Sequence, residues 1–245
     1  MKKIYFLALT CAVLFGVASC SLDDDNDDNS NKLLLRDNFT IVGTYPNYKL
    51  IGDNNTIVYP TVASVNELTD DKGFENHKRI QLYAYYEQKN TTTEDGVTII
   101  HNAELQDGIY FADKKVITVA EATEAGILAE DSIFYIKGSN SWLAKGYFSS
   151  IVTAEYSIVN NKAIVPHANL CATNIEENAV TLTMLYNRHT EKTNVSTYDG
   201  TFYYSFDVTN IEVPGNDSIT VTFDVLGATP IKNKVSRKDF YYSAQ

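Results

Sequence analysis

Apolar and polar residues alternate over several long stretches of this chain. Val180, Leu182, Met184 and Tyr186 fall on every second position, and the same alternation covers residues 202–208 and 218–225. Successive side chains of a β-strand point to opposite faces, so each stretch predicts a strand with one face in a core. The polar faces suit antiparallel sheets that are wetted on their outer side.

The first half of the chain predicts shorter strands with frequent turns, over residues 39–45, 47–59, 79–88 and 97–105. A turn over residues 52–55 divides the second of these into a hairpin. In the third, Ile80 and Leu82 share one face while Tyr83 and Tyr85 share the other. This spacing of strands predicts a small barrel or sandwich over residues 37–115, then an antiparallel β-sandwich over residues 116–245. The fold class is therefore all-β, with a short helix or loop expected over residues 119–130. Turns are expected at residues 138–141 and 160–161, and Trp142 is expected in the sandwich core.

The N-terminus has the order of features of an export signal. Lys2 and Lys3 precede an apolar run over residues 4–17, and small residues then lead into Cys20. This order resembles a lipobox, which makes residues 1–19 the signal peptide and Cys20 the lipidated first residue of the mature chain. A plain signal peptide with a chance cysteine and a membrane helix are the alternatives. The apolar run is shorter than the ~20 residues that a helix needs to span a bilayer.

Residues 20–36 are predicted to be an extended, solvated tether. Five aspartates lie between residues 23 and 28, among asparagines, and such a segment cannot bury apolar surface. It resembles the acidic signal of surface-exposed lipoproteins of Bacteroidota. That resemblance implies a protein attached to the outer membrane through acyl chains on Cys20 and facing the cell exterior.

Charge and cysteine content narrow the partners further. The formal net charge is -11, and removing Lys2 and Lys3 with the signal changes it to -11 - 2 = -13. A chain this acidic repels phosphate backbones, so nucleic acid is not expected as a partner. Cys11 is lost with the signal and Cys20 carries lipid, which leaves Cys171 unable to form an intrachain disulfide. Cys171 is predicted to be a small buried apolar residue.

Several pieces of the sequence resemble the NigD-like lipoprotein family. They are residues 78–86, 131–134, 142–144, 167–170 and 180–188. The resemblance implies an OB-type barrel followed by a β-sandwich behind a lipobox. It also implies a bacteriocin immunity-type role, inferred from the locus of the namesake, and it supplies no catalytic residues.

Motifs that would indicate catalysis are missing from the sequence. It has no nucleophile elbow, P-loop or dinucleotide fingerprint, and its four histidines lack metal-ligand spacing. A non-enzyme without a cofactor is therefore predicted. The outward face of the predicted strand at Tyr83 and Tyr85 is the predicted ligand-binding site, because barrels of the OB type bind oligomers on strand faces. Packing of these rings against the second domain, or in cross-strand pairs, is the alternative.

Two Asp-Ser-Ile tripeptides, at residues 131–133 and 217–219, resemble the acceptor pattern for O-glycosylation in exported Bacteroidota proteins. They mark Ser132 and Ser218 as possible acceptors, although the same tripeptide is an ordinary start of a strand.

Three functions are compatible with these features. The first is a non-catalytic surface lipoprotein that binds an extracellular molecule or protein. The second is a glycan-binding accessory lipoprotein, and the third is a fimbrillin-like structural subunit. In the third, Leu33, Leu34 and Leu35 would form a donor strand released by cleavage after Arg36. The same triplet is otherwise expected to be the first half-strand of the barrel.

Overall fold

The computed structural model describes residues 31–127, 136–164, 167–187, 197–225 and 229–242. Within these residues the chain forms sixteen β-strands, which include the alternating stretches. The strands are β1 (Lys32–Thr44), β2 (Asn47–Gly52), β3 (Thr56–Pro60), β4 (Arg79–Glu87), β5 (Thr91–Glu94), β6 (Val97–Tyr110), β7 (Ala112–Lys115), β8 (Ile117–Thr118), β9 (Ile136–Ala144), β10 (Tyr147–Val159), β11 (Lys162–Ile164), β12 (His167–Glu176), β13 (Ala179–Asn187), β14 (Thr197–Asp207), β15 (Ile219–Val225) and β16 (Ile231–Val235). The described helices are α1 (Val62–Thr69), α2 (Val119–Glu124) and α3 (Arg237–Phe240), with a 3-10 turn at Gln88–Asn90. The all-β class is confirmed.

The first six strands form a sheet that closes on itself. Hydrogen-bonded neighbours follow the order β3-β2-β1-β4-β6-β5, and β3 also pairs in parallel with β6. The five strands β1, β2, β3, β6 and β4 therefore make a ring, with α1 between β3 and β4. This connectivity agrees with the predicted OB-like barrel.

The interior of this ring is apolar because the strands alternate as the sequence predicts. Ile80 and Leu82 of β4 are buried, whereas Tyr83 and Tyr85 of the opposite face are half-buried. The other buried members of this core come from β1, β2, β3, β4, β6, α1 and the α1–β4 loop: Phe39, Ile41, Tyr48, Leu50, Val58, Val65, Phe74, Ala84, Ile100, Ala103 and Leu105.

The leucine triplet belongs to the first strand of this ring. Strand β1 begins at Lys32, inside the segment predicted to be a tether, and Leu33, Leu34 and Leu35 pair with residues of β4. Leu35 packs against the barrel core, while Leu34 remains 59% exposed. The triplet is thus a half-strand of the barrel, and it is already paired within the chain instead of being available as a donor strand.

The remaining strands form two five-stranded sheets that enclose a second core. One sheet follows the order β11-β10-β14-β7 with β9 also on β10, and the other follows β16-β15-β13-β12-β8. Side chains from both sheets meet in this core, where the ring centroids of Phe148 in β10 and Phe223 in β15 lie 4.2 Å apart. This arrangement agrees with the predicted sandwich.

Parallel pairs occur within these sheets, although antiparallel strands were expected throughout. Strand β13 is parallel to β15, and β14 is parallel to β7. The β13–β15 pair is parallel because the chain crosses to the other sheet after β13 and forms β14 there. It then returns to the first sheet as β15, which runs in the same direction as β13. Pairing of β7 with β14 also places residues 112–115, predicted to end the barrel, in the second region.

One predicted turn is wrong. Residues 138–141, expected as a turn because of their glycine, serine and asparagine content, lie inside β9 and pair with β10. The turn instead falls at Lys145 and Gly146, which have φ angles of 50° and 76°. Two consecutive positive φ angles match the right-handed twist of the flanking strands in a two-residue hairpin.

A buried arginine joins the ring to the sandwich. Arg79 of β4 has 0% exposure and donates two hydrogen bonds to the Asp53 carboxylate, at 2.8 and 2.6 Å. Arg79 also donates to the hydroxyl of Ser149 in β10, at 3.2 Å, and its guanidinium lies 5.1 Å from the ring centroid of Tyr147. We call Arg79, Asp53, Trp142, Tyr147 and Ser149 the junction cluster.

Trp142 belongs to this junction cluster, whereas the sequence favoured a place in the sandwich core. It is half-buried, and its indole Nε1–H donates to Asp53 Oδ2 at 2.7 Å. The buried carboxylate explains this position, because an indole N–H requires an acceptor when it is removed from water.

Candidate ligand-binding cleft

A half-open cleft lies on the barrel, with a volume of about 470 Å³. Ligand sites of small molecules span roughly 300–1,000 Å³, so the cleft has room for a few sugar or amino-acid residues. It is lined by Val42, Gly43, Pro46, Asn47, Tyr48, Lys49, Tyr59, Pro60 and Val62. Most of these side chains are apolar or aromatic, as is usual in binding sites.

The cleft forms where the β2–β3 hairpin splits. Strands β2 and β3 pair with each other only through Leu50 with Val58 and Ile51 with Ile57. Towards the start of β2, Lys49 and Tyr48 pair with β1 alone, whereas Tyr59 and Pro60 at the end of β3 pair with β6. Pro60 has no N–H to extend the ladder. The two strands therefore diverge, and the space between them is the cleft.

A pair of stacked rings flanks the β3 side of the cleft. Tyr59 and His101 occupy paired positions on β3 and β6, with ring centroids 5.1 Å apart and planes 5° from parallel. A β-bulge follows directly, since Asn102 has a φ of 54° and Pro60 pairs with Ala103. Bulges redirect neighbouring side chains and are frequent beside functional sites. Tyr59 remains 37% exposed, although it is part of this stack.

The floor of the cleft is fixed by buried contacts. Tyr48 is 5% exposed, its hydroxyl donates to the Phe74 carbonyl at 3.0 Å, and the two rings meet edge to face at 5.5 Å. Gly43 lies beside it with a φ of +107°, and a Cβ there would approach the Asn47 carbonyl oxygen to 2.4 Å. The end of β1 therefore requires glycine at this position.

The first turn of α1 follows β3 directly and forms the next part of the rim. Thr61 is the N-cap, and its hydroxyl accepts a hydrogen bond from the Ser64 N–H at 3.3 Å. The Thr61 N–H donates to the Ala103 carbonyl of β6 at 2.8 Å. These bonds position Val62, which is 44% exposed at the mouth of the cleft. The aromatic and apolar walls are thus held in place by contacts within the chain itself.

The residues that line the cleft include one cationic side chain and no carboxylate. Lys49 supplies the cation, and it already interacts with another group of the protein. Asn47 contributes an exposed amide, which offers two donors and one acceptor. The cleft is therefore suited to a ligand recognised by ring packing and amide hydrogen bonds more than by charge.

Tyr83 and Tyr85, the predicted ligand-binding residues, lie elsewhere on the barrel. Both are half-buried on the outer face of β4, between β1 and β6. The Arg36 guanidinium lies 5.1 Å from the ring centroid of Tyr83 and also donates to Gln81. The ring of Tyr83 is therefore partly covered, and its role in binding stays a prediction.

Two other sequence-based predictions fall on described residues. Ser218 is half-buried directly before β15, so its glycosylation stays a prediction. Cys171 is 2% exposed and packs with Ala122 and Leu185, and burial raises the pKa of its thiol. The prediction that Cys171 is a buried apolar residue is confirmed.

Several predictions lie outside the described residues. They concern the signal peptide, the lipid site at Cys20, the aspartates of residues 23–28 and the acceptor Ser132. Within the described residues, no group of three or more histidine, cysteine, aspartate or glutamate side chains could hold a metal ion. No helix in that part of the chain has the length and apolar character needed to cross a bilayer.

The cleft itself was not predicted from the sequence. Its signal is the pair of aromatic-proline dipeptides, Tyr45-Pro46 and Tyr59-Pro60. Proline in or beside a strand interrupts the ladder, and an adjacent tyrosine can then remain at the surface. The distance between the two dipeptides is set by the barrel, so the sequence alone did not place them together.

No family model matches the chain, and no curated protein does. Among solved structures, a protein of unknown function from Bacteroides vulgatus aligns at 15% identity and a TM-score of 0.52, covering 83% of this chain and 90% of its own. A Parabacteroides distasonis protein provisionally named as toxin-related aligns at 14% identity and a TM-score of 0.51, covering 83% and 93%. A Bacteroides fragilis protein provisionally named as a lipoprotein has a TM-score of 0.46 at 11% identity, covering 86% and 100%. The first two show a shared fold.

Proposed function

We propose that this protein is a non-catalytic lipoprotein of the cell surface that binds an extracellular ligand in the barrel cleft. The observation that carries the proposal is the preformed aromatic cleft between the diverging ends of β2 and β3. Its walls leave Tyr59 and Val62 in contact with water, so a ligand in the cleft can reach both side chains.

The absence of an enzymatic role is part of the proposal. The cleft lining lacks a carboxylate, and its one titratable cation, Lys49, already interacts with another group. General acid-base catalysis needs a side chain that can exchange a proton with the bound substrate. Binding without turnover is the function that this lining supports best.

Anchoring through Cys20 is the second part of the proposal. Burial of acyl chains contributes about 0.8 kcal/mol per methylene, and stable attachment needs more than one chain. A multiply acylated Cys20 would hold the protein at the outer membrane, with the acidic segment as a spacer. The outward orientation and membership of the NigD-like family rest on the sequence resemblances alone.

Anchoring is tested by fractionating cells that express the full chain and the Cys20→Ser variant. We expect the wild-type chain to be labelled by palmitate, to sediment with outer membranes and to be digested by protease added to intact cells. The Cys20→Ser chain should lack the label and leave the membrane fraction. Membrane retention of the unlabelled variant would contradict the proposed anchor.

Ligand binding is tested with the mature Cys20→Ser chain, which lacks the acyl acceptor and keeps every described residue. A panel of glycans and peptides is screened by the shift that each causes in the unfolding temperature. We expect at least one panel member to stabilise this chain and to have no effect on a Tyr59→Ala version. Stabilisation that survives Tyr59→Ala would contradict the cleft as the binding site.

A further inference from the structure

We infer that the ligand of the cleft is an uncharged oligosaccharide whose sugar ring packs on Tyr59. The inference rests on the proposed function, because it names the class of molecule that the same cleft binds.

The position of the cleft in the barrel is the first argument. It is lined by the β1–β2 connection and by residues of β2 and β3, next to the start of α1. In barrels with this strand connectivity, the strand 2–3 face and the loop between strands 1 and 2 bind oligosaccharides or oligonucleotides. The mature net charge of -13, from -11 after loss of Lys2 and Lys3, disfavours the oligonucleotide. An oligosaccharide remains.

The ring geometry is the second argument. Tyr59 is backed by His101 at 5.1 Å with nearly parallel planes, which limits the orientations that the exposed tyrosine ring can adopt. The face of an aromatic ring carries negative charge density, and it attracts the weakly positive C–H groups on one face of a pyranose. A backed ring loses less conformational entropy when a sugar packs against it. Such a ring is a suitable platform for a saccharide.

The lining chemistry is the third argument. No carboxylate lines the cleft to bind a cationic ligand, and the lysine at position 49 already has a partner within the protein. Asn47 can both donate to and accept from sugar hydroxyls. Pro46 and Pro60 supply rigid apolar walls that add contact without hydrogen-bonding groups. This combination favours a neutral polyol over a charged one.

An extended proline-rich peptide is the competing class, because such peptides dock in aromatic-lined grooves. The barrel position and the amide of Asn47 favour the saccharide, so the peptide is an outcome of the test. The test uses calorimetric titration of the mature Cys20→Ser chain. The probes are maltohexaose, cellohexaose, mannohexaose and chitohexaose, with an oligogalacturonate and a proline-rich peptide as comparators.

We expect one or more of the neutral hexasaccharides to bind, with an affinity that changes less than about twofold between roughly 50 and 500 mM salt. Tyr59→Ala should weaken binding by about tenfold or more, whereas Tyr59→Phe, which keeps the ring, should stay within about threefold. Val62→Asp provides a second test at the mouth of the cleft and should also weaken binding. Tyr85→Ala is the matched control and should bind as the parent does.

The outcomes separate the inference from the proposed function. Binding of the proline-rich peptide or the oligogalacturonate alone, lost in Tyr59→Ala, overturns the saccharide inference and leaves the cleft as a binding site. Saccharide binding that Tyr59→Ala and Val62→Asp leave unchanged, in variants with the circular dichroism spectrum of the parent, overturns both. Failure of every probe to bind overturns the inference as well.

Discussion

The two ends of the β2–β3 hairpin differ in their exposure to water. At its turn, Asp53 is held by Arg79 and Trp142, and the Asp53 side chain is 5% exposed. At its open end, Tyr59 and Val62 face solvent at the rim of the cleft. The polar and aromatic groups of the junction cluster bind one another and stabilise the fold. The exposed side chains at the cleft rim are available for a ligand.

This difference predicts opposite consequences of mutation at the two ends. Changes in the junction cluster should lower the free energy of unfolding, because they leave buried charges or donors without partners. Changes at the cleft rim should alter binding and leave stability nearly constant, because half-exposed side chains add little to a core.

The largest effect is expected for Arg79→Met. This change keeps the aliphatic length but leaves the Asp53 carboxylate buried without its cation, a loss of about 3–5 kcal/mol in the free energy of unfolding. Urea denaturation of the variant and of the parent measures it. Arg36→Met is the control, because Arg36 lies exposed over Tyr83 on the barrel surface and should cost less than about 1 kcal/mol. Equal losses in the two variants would contradict the assignment of the junction cluster as structural.

Trp142→Phe should have an intermediate effect. Phenylalanine keeps much of the ring but removes the indole N–H that donates to Asp53 Oδ2 at 2.7 Å. Hydrogen bonds to a charged acceptor contribute roughly 1.5–3 kcal/mol, and the same unfolding experiment should detect this loss. In the Asp53→Asn background the effect of Trp142→Phe should shrink, since the acceptor is no longer ionised. An unchanged effect would show that the ring, and not its N–H, stabilises the junction.

Asp37 is expected to make the free energy of unfolding depend on pH. Burial, together with the nearby Asp53 carboxylate, raises the pKa of Asp37 to about 6. An unfolded aspartate ionises near pH ~3.9, so between these values the folded state binds a proton that the unfolded state has released. The contribution of Asp37 to the free energy of unfolding therefore falls as pH rises through this window. The loss of stability from burying the ionised carboxylate is complete above about pH 6.

Asp37→Asn should remove that cost. The amide oxygen can still accept hydrogen bonds, as the carboxylate does from the Asn38 N–H at 2.8 Å. We expect the variant to be more stable than the parent by on the order of 1 kcal/mol at about pH 8, with the difference closing towards about pH 4. Urea denaturation across this range measures it. A difference that grows on acidification would contradict the raised pKa.

The smallest effect on stability is expected for Tyr59→Ala. Tyr59 is 37% exposed and stacks on His101, so its loss should change the free energy of unfolding by less than about 1 kcal/mol. The same substitution is expected to remove ligand binding. A loss as large as that of Arg79→Met would show that the cleft is a structural element like the junction.

Local patterns predicted much of the barrel. The hairpin turn over residues 52–55 and the two faces of β4 follow from turn residues and period-two alternation. The turn at Asn160 and Asn161 was also correct, since both residues have positive φ angles. These features depend on neighbours in sequence, so the chain alone was sufficient to predict them.

Features that depend on distant residues could not be predicted in this way. Residues 138–141 have poor strand propensity, but pairing with β10 keeps them in β9. Trp142 binds a carboxylate 89 positions earlier in the chain. The cleft likewise requires the barrel to bring Pro46 and Tyr59 to the same space. None of these distances is encoded in a local pattern.

The most direct test of the cleft is a map of backbone amide chemical shifts during titration with whichever neutral hexasaccharide binds the mature Cys20→Ser chain. We expect the shifts to concentrate in residues 42–49 and 59–62, while Tyr83 and Tyr85 and the strand around them stay unchanged. Shifts centred on Tyr83 and Tyr85, with residues 42–49 and 59–62 unaffected, would contradict the cleft as the binding site and would place the ligand on the outer face of β4.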